Sequence, residues 1–271
     1  MTAMPSPSLT LDPDPFEGVT LVGGGPGDPE LITVAGLRSL LAADVVVTDR
    51  LAPTDLLASL SPRVEVIDVA KIPRGRSTSQ EQINALLVEH ARAGRRVVRL
   101  KGGDNFVFGR GLEEMEALVA AGVPVRVVPG LSSALAVPAL AGISVTHRGL
   151  VQDVTVISGH VPPGHSGGLV RWEAVAALRG TLVLLMAVEN AGAIAAALCA
   201  HGRDPRTPVA VIEDGSLPTQ RVVQGSLEGL GALVAEERVR PPAIIVIGET
   251  VDVSVAGRTT QVGRQSSGRP V

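Results

Sequence analysis

The chain has 271 residues, of which 45% are hydrophobic, and a net charge of −3. That length suits one large domain or two smaller ones, and that apolar content builds an ordinary globular core. Three Phe, one Trp and no Tyr provide no row of rings for bases to stack on. With no positive field to attract a polyanion, the composition argues against nucleic-acid binding. Residues 1–17 carry Pro5, Pro7, Pro13 and Pro15 among Ser, Thr and Asp, and read as a disordered tail. They show no basic region followed by an apolar block, so no secretory leader is expected.

From residue 18, short apolar runs alternate with amphipathic stretches. Strands are expected over 19–22, 45–48, 64–69, 97–100 and 125–128, with helices over 29–42, 79–93 and 113–121. A second series follows, with strands over 154–158, 182–186, 209–212, 220–224 and 243–247 and helices over 191–201 and 227–237. The stretch VPPGHSGG (161–168) reads as a loop. Apolar runs bounded by Gly or Pro and separated by helices indicate mainly parallel sheets. The expected organisation is an α/β protein with two α/β domains, 18–130 and 151–253, a linker region over 131–150, and a second disordered tail over 254–271. The uncharged run 127–146 is broken by Pro129, Gly130, Pro138 and Gly142, so a buried segment is expected there and no membrane span. One cysteine, Cys199, allows no intrachain disulfide and fits a reducing, cytoplasmic setting.

Two Gly-rich turns follow strands. In TLVGGGPGDPELIT, Gly23, Gly24, Gly25 and Gly27 come directly after the first strand, where backbone approaches a ligand with no Cβ in the way. Asp49 ends the next strand, which invites a dinucleotide-binding reading. The spacing fails: Gly-x-Gly-x-x-Gly counted from Gly23 or Gly25 requires glycine where Asp28 or Glu30 stands. No phosphate-loop motif is present. The second turn, in VVRLKGGDNFVFGRGLEE, runs from a strand through Lys101, Gly102, Gly103 and Asp104 to Gly109-Arg110-Gly111 at a helix start. Ligands of open α/β sheets bind at such carboxyl ends of strands. The charge pattern adds a detail. The 24 basic residues include only two lysines, Lys71 and Lys101, so the other 22 are Arg (24 − 2). A compact, titratable ammonium is not interchangeable with a guanidinium.

Together, LVGGGPGDPELIT, ADVVVTDRL, SQEQINALL, RVVRLKGGDNFVFGRG, VVPGLSSALAVPALAGISVTHR, VTVISGH, LLMAVEN, VAVIEDGSLPTQRVV and PPAIIVIGE closely resemble the uroporphyrinogen-III C-methyltransferase family. The resemblance covers about 19–252. GPGDPELIT marks the wider tetrapyrrole-methylase superfamily, whereas RLKGGD with FGRG, and GISVTHR, are more specific. The resemblance implies two α/β domains flanking a cofactor cleft, a tetrapyrrole methylase fold distinct from the Rossmann fold. It implies S-adenosylmethionine as methyl donor, leaving S-adenosylhomocysteine, and uroporphyrinogen III as substrate. Methylation at two positions gives precorrin-2, which feeds sirohaem and cobalamin synthesis. It further implies a homodimer; some members carry an extra N-terminal dehydrogenase/ferrochelatase domain, and with the methylase motif following a short tail the single-function form is expected here, while the five histidines show no metal-ligand spacing and no metal is expected.

On the same resemblance, Pro26 lies at the cofactor pocket, Gly102, Gly103 and Asp104 hold the methionine end, and Val107 presents backbone nearby. Ser132 and Ser133 occupy a cofactor turn. Met186, Gly215 and Ala243 hold the adenosine. Read alone, Met186 is core and the two serines cap a helix. Asp49 matches the family's proton acceptor and Lys71 its proton donor; read alone, they are an ion pair at strand ends. Arg50, Arg74, Arg76, Arg110 and Arg148 are the expected partners of the substrate's carboxylates, and His147 and His160 are weaker candidates. The chain departs from the family pattern at Thr48 for Tyr, Ala70 and Ile72 for the Gly and Arg around Lys71, Asn105 for Pro, and Ala187 for Gly. Two alternatives stand beside this reading: a methylase of a later corrin precursor, against which the RLKGGD…FGRG signature argues, and a non-catalytic binder of cofactor or tetrapyrrole, which the departures at 48, 72 and 105 keep open.

Overall fold

A computed structural model describes residues 11–70 and 78–253. The chain divides into two compact units, Met1–Ser132 and Ser133–Val271.

The first unit is built on β1 (Val19–Gly23), β2 (Val45–Thr48), β3 (Glu65–Asp68), β4 (Val97–Lys101) and β5 (Val125–Val128). They form one wholly parallel sheet in the order β3-β2-β4-β1-β5. β1, β2 and β4 are buried along their whole length, which is why they read as unbroken apolar runs. The outer strands β3 and β5 are only partly covered. Alternate residues serve opposite faces. Val19, Leu21, Val45, Val47 and Val97 pack with Ile83 and Leu87 of α2 (Gln80–Arg92) and Leu118 of α3 (Gly111–Ala120). Val22, Val46, Val98 and Leu100 pack with Leu40 of α1 (Val34–Leu41).

Local signals set the helix starts. Ser79 and Gln82 form a reciprocal capping box at α2. The helix expected over 29–42 is instead divided. Asp28 caps a single 3-10 turn, Pro29–Leu31, the chain extends at Ile32, and Thr33 caps α1 afresh. Two N-cap residues five positions apart each start their own element. The expected tail also needs correction: within 11–17, Asp14 pairs with Arg126 at 3.0 Å, and the Arg126 guanidinium lies 4.8 Å from the centre of the Phe16 ring. Residues 1–10 and 254–271 lie outside the described residues.

The second unit contains β6 (Val154–Ser158), β7 (Thr181–Leu185), β8 (Pro208–Glu213), β9 (Arg221–Ser226) and β10 (Ala243–Ile247), in the order β6-β7-β10-β8-β9. Only β6 and β7 run parallel; β7–β10, β10–β8 and β8–β9 are antiparallel. The expectation of mainly parallel sheets holds for the first unit and not for the second. Connection length is the physical reason. Residues 214–220 alone join β8 to β9, too few for a crossover, so the pair closes as a hairpin.

Helix α4 (Ser133–Leu140) packs Ala134 and Val137 on one face of this sheet, and Ala141 and Ile143 follow them into the same cluster. The region expected as a linker thus contributes to the core of the second unit. Helices α5 (Trp172–Ala177), α6 (Ala191–Ala200) and α7 (Leu230–Glu236) cover the other face. No helix among the described residues is long and apolar enough to cross a membrane.

Candidate active site

In the first unit, the loops after β1, β4 and β5 meet at the carboxyl edge of the sheet. The Gly24 N–H donates to Lys101 O at 2.7 Å. Gly25 and Gly103 exchange backbone hydrogen bonds of 3.1 and 2.6 Å. At their junction Gly23 and Gly130 leave no room for a side chain. A Cβ on Gly23 would lie 2.5 Å from Gly130 N, and one on Gly130 would lie 2.3 Å from Gly103 O. The result is a cradle walled by bare backbone, with Pro26 half-buried on the turn that follows β1.

Asp104 stitches this cradle together. Its Oδ1 accepts from Phe106 N–H at 2.9 Å, and its Oδ2 accepts from Gly130 N–H at 3.1 Å. A carboxylate offers about four lone-pair sites, so both oxygens retain acceptor capacity for a ligand. Val107 lies between Phe106 and Phe108, all three exposed, so two of the chain's three Phe side chains stand in solvent on this loop. The glycines of FGRG also have a steric role. A Cβ on Gly109 or Gly111 would fall 2.5 or 2.6 Å from Asn105 O, so the loop folds back only because they have none.

Asn105 stands where the family pattern has Pro. It is fully buried, and its Nδ2 donates to Leu21 O at 3.3 Å and Val128 O at 2.9 Å. Proline has no such donor. Asn105→Ala should therefore destabilise the chain by about 1 kcal/mol: it removes two buried hydrogen bonds, and with them a side-chain oxygen that is buried without a partner. Urea unfolding measures this, and an unchanged midpoint would show that the side chain is dispensable.

Asp49 follows β2 at the same sheet edge and is part-exposed. Its Oδ1 accepts from Leu51 N–H at 3.1 Å, and its Oδ2 pairs with Arg99 at 3.0 Å. Arg99 is buried, and its Nε reaches Glu114 Oε1 at 3.0 Å while Nη1 donates to the carbonyls of Val47 and Leu100. Glu114 Oε1 also takes Lys101 Nζ at 2.9 Å and Gln80 Nε2 at 3.3 Å, whereas its Oε2 is buried with no hydrogen-bond partner. Burial, aided by the Arg99 charge, pushes the Lys101 ammonium below its ordinary range against the pull of Glu114. Arg99, Glu114 and Gln80 were not among the residues expected from sequence. The available signal was Arg99 and Lys101, charges two apart on one face of a fully buried strand, which require a buried counter-charge.

The remaining first-unit residues are less organised. Arg50 is exposed beyond β2. Arg110 has φ 56° and forms a bidentate pair with Glu113 at 2.9 and 2.6 Å; Glu113 raises the guanidinium's pKa. Ser132 ends the first unit, and Ser133 is the first residue of α4 and of the second. Lys71, Ile72, Arg74 and Arg76 lie outside the described residues.

In the second unit, Met186, Gly215 and Ala243 come to one edge of the mixed sheet. Met186 directly follows β7, Ala243 opens β10 opposite Glu213, and Gly215 comes just after β8. The register pairs Leu185 with Ile244, so Met186 reaches the level of Ala243. Met186 is half-exposed and therefore not core. Its φ is 55°, and Asp214 and Ser216 beside Gly215 also have positive φ. With Phe108 and Arg110, five of the six described non-Gly residues in this region of φ lie on loops carrying candidate residues. Backbone strain of that kind concentrates at ligand sites. Arg148 and His160 are exposed. Asn190 holds the loop at His160 by donating to Gly159 O and His160 O at 2.7 and 3.0 Å.

A glycine cradle at the carboxyl edge of a parallel sheet, followed by a mixed-sheet unit, is the architecture of a tetrapyrrole methylase. Residues 18–231 match the family model for tetrapyrrole (corrin/porphyrin) methylases, and the chain belongs to that family. It is 47% identical over 233 residues to the S-adenosyl-L-methionine-dependent uroporphyrinogen III methyltransferase of Methanosarcina barkeri, covering 86% of this chain and 91% of that one. It is 45% identical over 233 residues to siroheme synthase 2 of Cronobacter sakazakii, but spans only 50% of that longer protein. Among solved structures it is similar to the uroporphyrin-III C-methyl transferase from Thermus thermophilus complexed with S-adenosylhomocysteine. The TM-score there is 0.74 at 44% identity, with 87% of this chain and 99% of that one covered.

Proposed function

We propose that the chain transfers methyl groups from S-adenosylmethionine to two carbon atoms of uroporphyrinogen III, giving precorrin-2 for sirohaem and cobalamin synthesis. One observation carries this reading: RLKGGD, one of the stretches more specific to the resemblance, supplies Gly103 to the bare-backbone junction with Gly23 and Gly130. Because a Cβ at Gly23 or Gly130 would strike the backbone of a neighbouring loop, the three loops present bare main chain at the carboxyl edge of the sheet, where ligands of open α/β sheets bind.

In this reading Gly102, Gly103 and Asp104 hold the methionine end of the donor, with Pro26 and the backbone of Val107 beside it. Ser132 and Ser133 join that set, and Met186, Gly215 and Ala243 hold the adenosine. The bound donor supplies an electrophilic methyl on a sulfonium. The protein's task is placement, with the reacting carbon held at roughly 3 Å from that methyl. Asp49 accepts the proton lost by the methylated carbon, as a part-exposed carboxylate at a sheet edge is able to do. Lys71 is its proton-donating counterpart. Arg50, Arg74, Arg76, Arg110 and Arg148 take the substrate's carboxylates, Arg110 by exchanging Glu113 for one of them. The reading includes a cytoplasmic homodimer without metal.

Anaerobic incubation with uroporphyrinogen III and methyl-labelled S-adenosylmethionine, followed by mass analysis, tests the proposal. The expected result is a tetrapyrrole two methyl groups heavier. S-adenosylhomocysteine binding without any methyl transfer would instead favour a later corrin precursor or a binding-only protein.

A further inference from the structure

The chain Glu114–Arg99–Asp49 runs from a fully buried carboxylate to a part-exposed one at the rim of the glycine cradle. Each link is a charge-assisted contact of 3.0 Å. Arg99 has no freedom to serve Asp49 otherwise, because its fork is held by Glu114 on one side and by the Val47 and Leu100 carbonyls on another. Burying Glu114 with one oxygen crowded by three donors and the other unpartnered is an unfavourable arrangement for stability alone. Gln80 of α2 and Lys101, two residues beyond Arg99 on β4, also hold that carboxylate. Three donors converging on one buried carboxylate oxygen, one of them the guanidinium that also reaches Asp49, call for a role at that far end.

We propose that Glu114 is a positioning residue for the methyl-transfer reaction: acting through Arg99, it fixes the Asp49 carboxylate at the rim of the cradle. The proposal rests on the reading that Asp49 takes part in that reaction. Glu114 shares the Arg99 guanidinium with Asp49. With Glu114 neutralised, Asp49 becomes the only anionic partner of that cation and is drawn back from the substrate. Cofactor binding, which needs the backbone cradle, is left untouched. Glu114→Gln keeps the shape and one acceptor oxygen. It also leaves the Arg99–Asp49 pair itself in place.

The test is a double-mutant cycle on kcat, with S-adenosylhomocysteine affinity measured by calorimetry on every variant. Asp49→Asn should lower kcat by about a hundred-fold or more, and Glu114→Gln by about ten-fold as part of the same contribution. The double variant should be no slower than Asp49→Asn alone. Affinity for S-adenosylhomocysteine should stay at the wild-type level throughout. Arg99→Lys, whose single head cannot serve both carboxylates, should behave as Glu114→Gln does. Multiplicative losses in the double variant, or a full wild-type kcat for Glu114→Gln, overturn the proposal. So does loss of cofactor affinity and of thermal stability together in both Glu114→Gln and Arg99→Lys, which would assign the network to the fold. Wild-type kcat for Asp49→Asn would instead bring down the reading on which the proposal rests, and the proposal with it.

Discussion

Gly130→Ala is expected to abolish S-adenosylhomocysteine binding and to lower the thermal midpoint markedly. The added methyl would sit 2.3 Å from Gly103 O and 2.6 Å from the Gly23 carbonyl carbon and oxygen. All of these are backbone atoms at the ends of paired central strands, so no flexible side chain can swing aside. Overpacking a well-filled site typically costs about 1–3 kcal/mol, and a backbone-only clash belongs at the upper end or beyond. For a chain of this size about 3 kcal/mol lowers Tm by on the order of 10 °C. Relief by parting the strand ends would open the cradle, and every 1.4 kcal/mol lost there is a tenfold weaker ligand (about −8.2 kcal/mol corresponds to micromolar binding). Gly122→Ala is the control. Gly122 has φ 70° but nothing within 4 Å of the added carbon, so it reports conformational strain without crowding and should retain ligand binding. Calorimetric titration and thermal unfolding of both variants decide the matter. Wild-type affinity in Gly130→Ala would mean that the junction of the three loops is not where the cofactor is held.

Much of the first unit was legible because its physics is local and repetitive. β1, β2 and β4 are buried on both faces, so they appear as continuous apolar runs, and the turns after β1 and β4 announce themselves by glycine. The second unit was legible in its strands but not in their directions. Alternation and burial say nothing about polarity, which is decided by how far the chain travels between strands. The seven positions from Asp214 to Gln220 already imply a hairpin, and β10 (Ala243–Ile247) then inserts between β7 and β8. Helix α4 was hidden for another reason. It carries Pro138 and is apolar nearly all round, so it lacks the one-sided stripe that marks a surface helix. The cradle itself was half legible: Gly23 and Gly103 lie in visible motifs, but Gly130 acquires its meaning only when β5 is placed beside β1. The polar network was the least legible, because Asp49, Gln80, Arg99 and Glu114 come from four separate elements, and only folding reveals which charges share a partner.

Glu114→Ala should be the most destabilising change in that network, and its effect should depend on pH with a definite sign. Removing the carboxylate leaves Arg99 with Asp49 and two carbonyls, but deprives Lys101 Nζ of its 2.9 Å anionic contact in a buried position. Breaking a buried pair by deleting one member typically costs about 3–5 kcal/mol. In the native chain burial already lowers the Lys101 pKa, while Glu114 pulls it back up. Without Glu114 the folded-state value falls further, while the unfolded value stays near the ordinary 10.5. Between those two values the unfolded chain binds the extra proton, so stability rises with pH across the window and the deficit shrinks toward its upper end. Urea unfolding at pH 7 and again near pH 10 should therefore show Glu114→Ala recovering relative to the wild type. Adding Lys101→Met to Glu114→Ala should recover stability at pH 7 as well, because the charge that lost its partner is then gone. A deficit that does not change with pH, or one that Lys101→Met does not relieve, would mean the loss comes from the cavity left by the side chain and not from an unpaired ammonium.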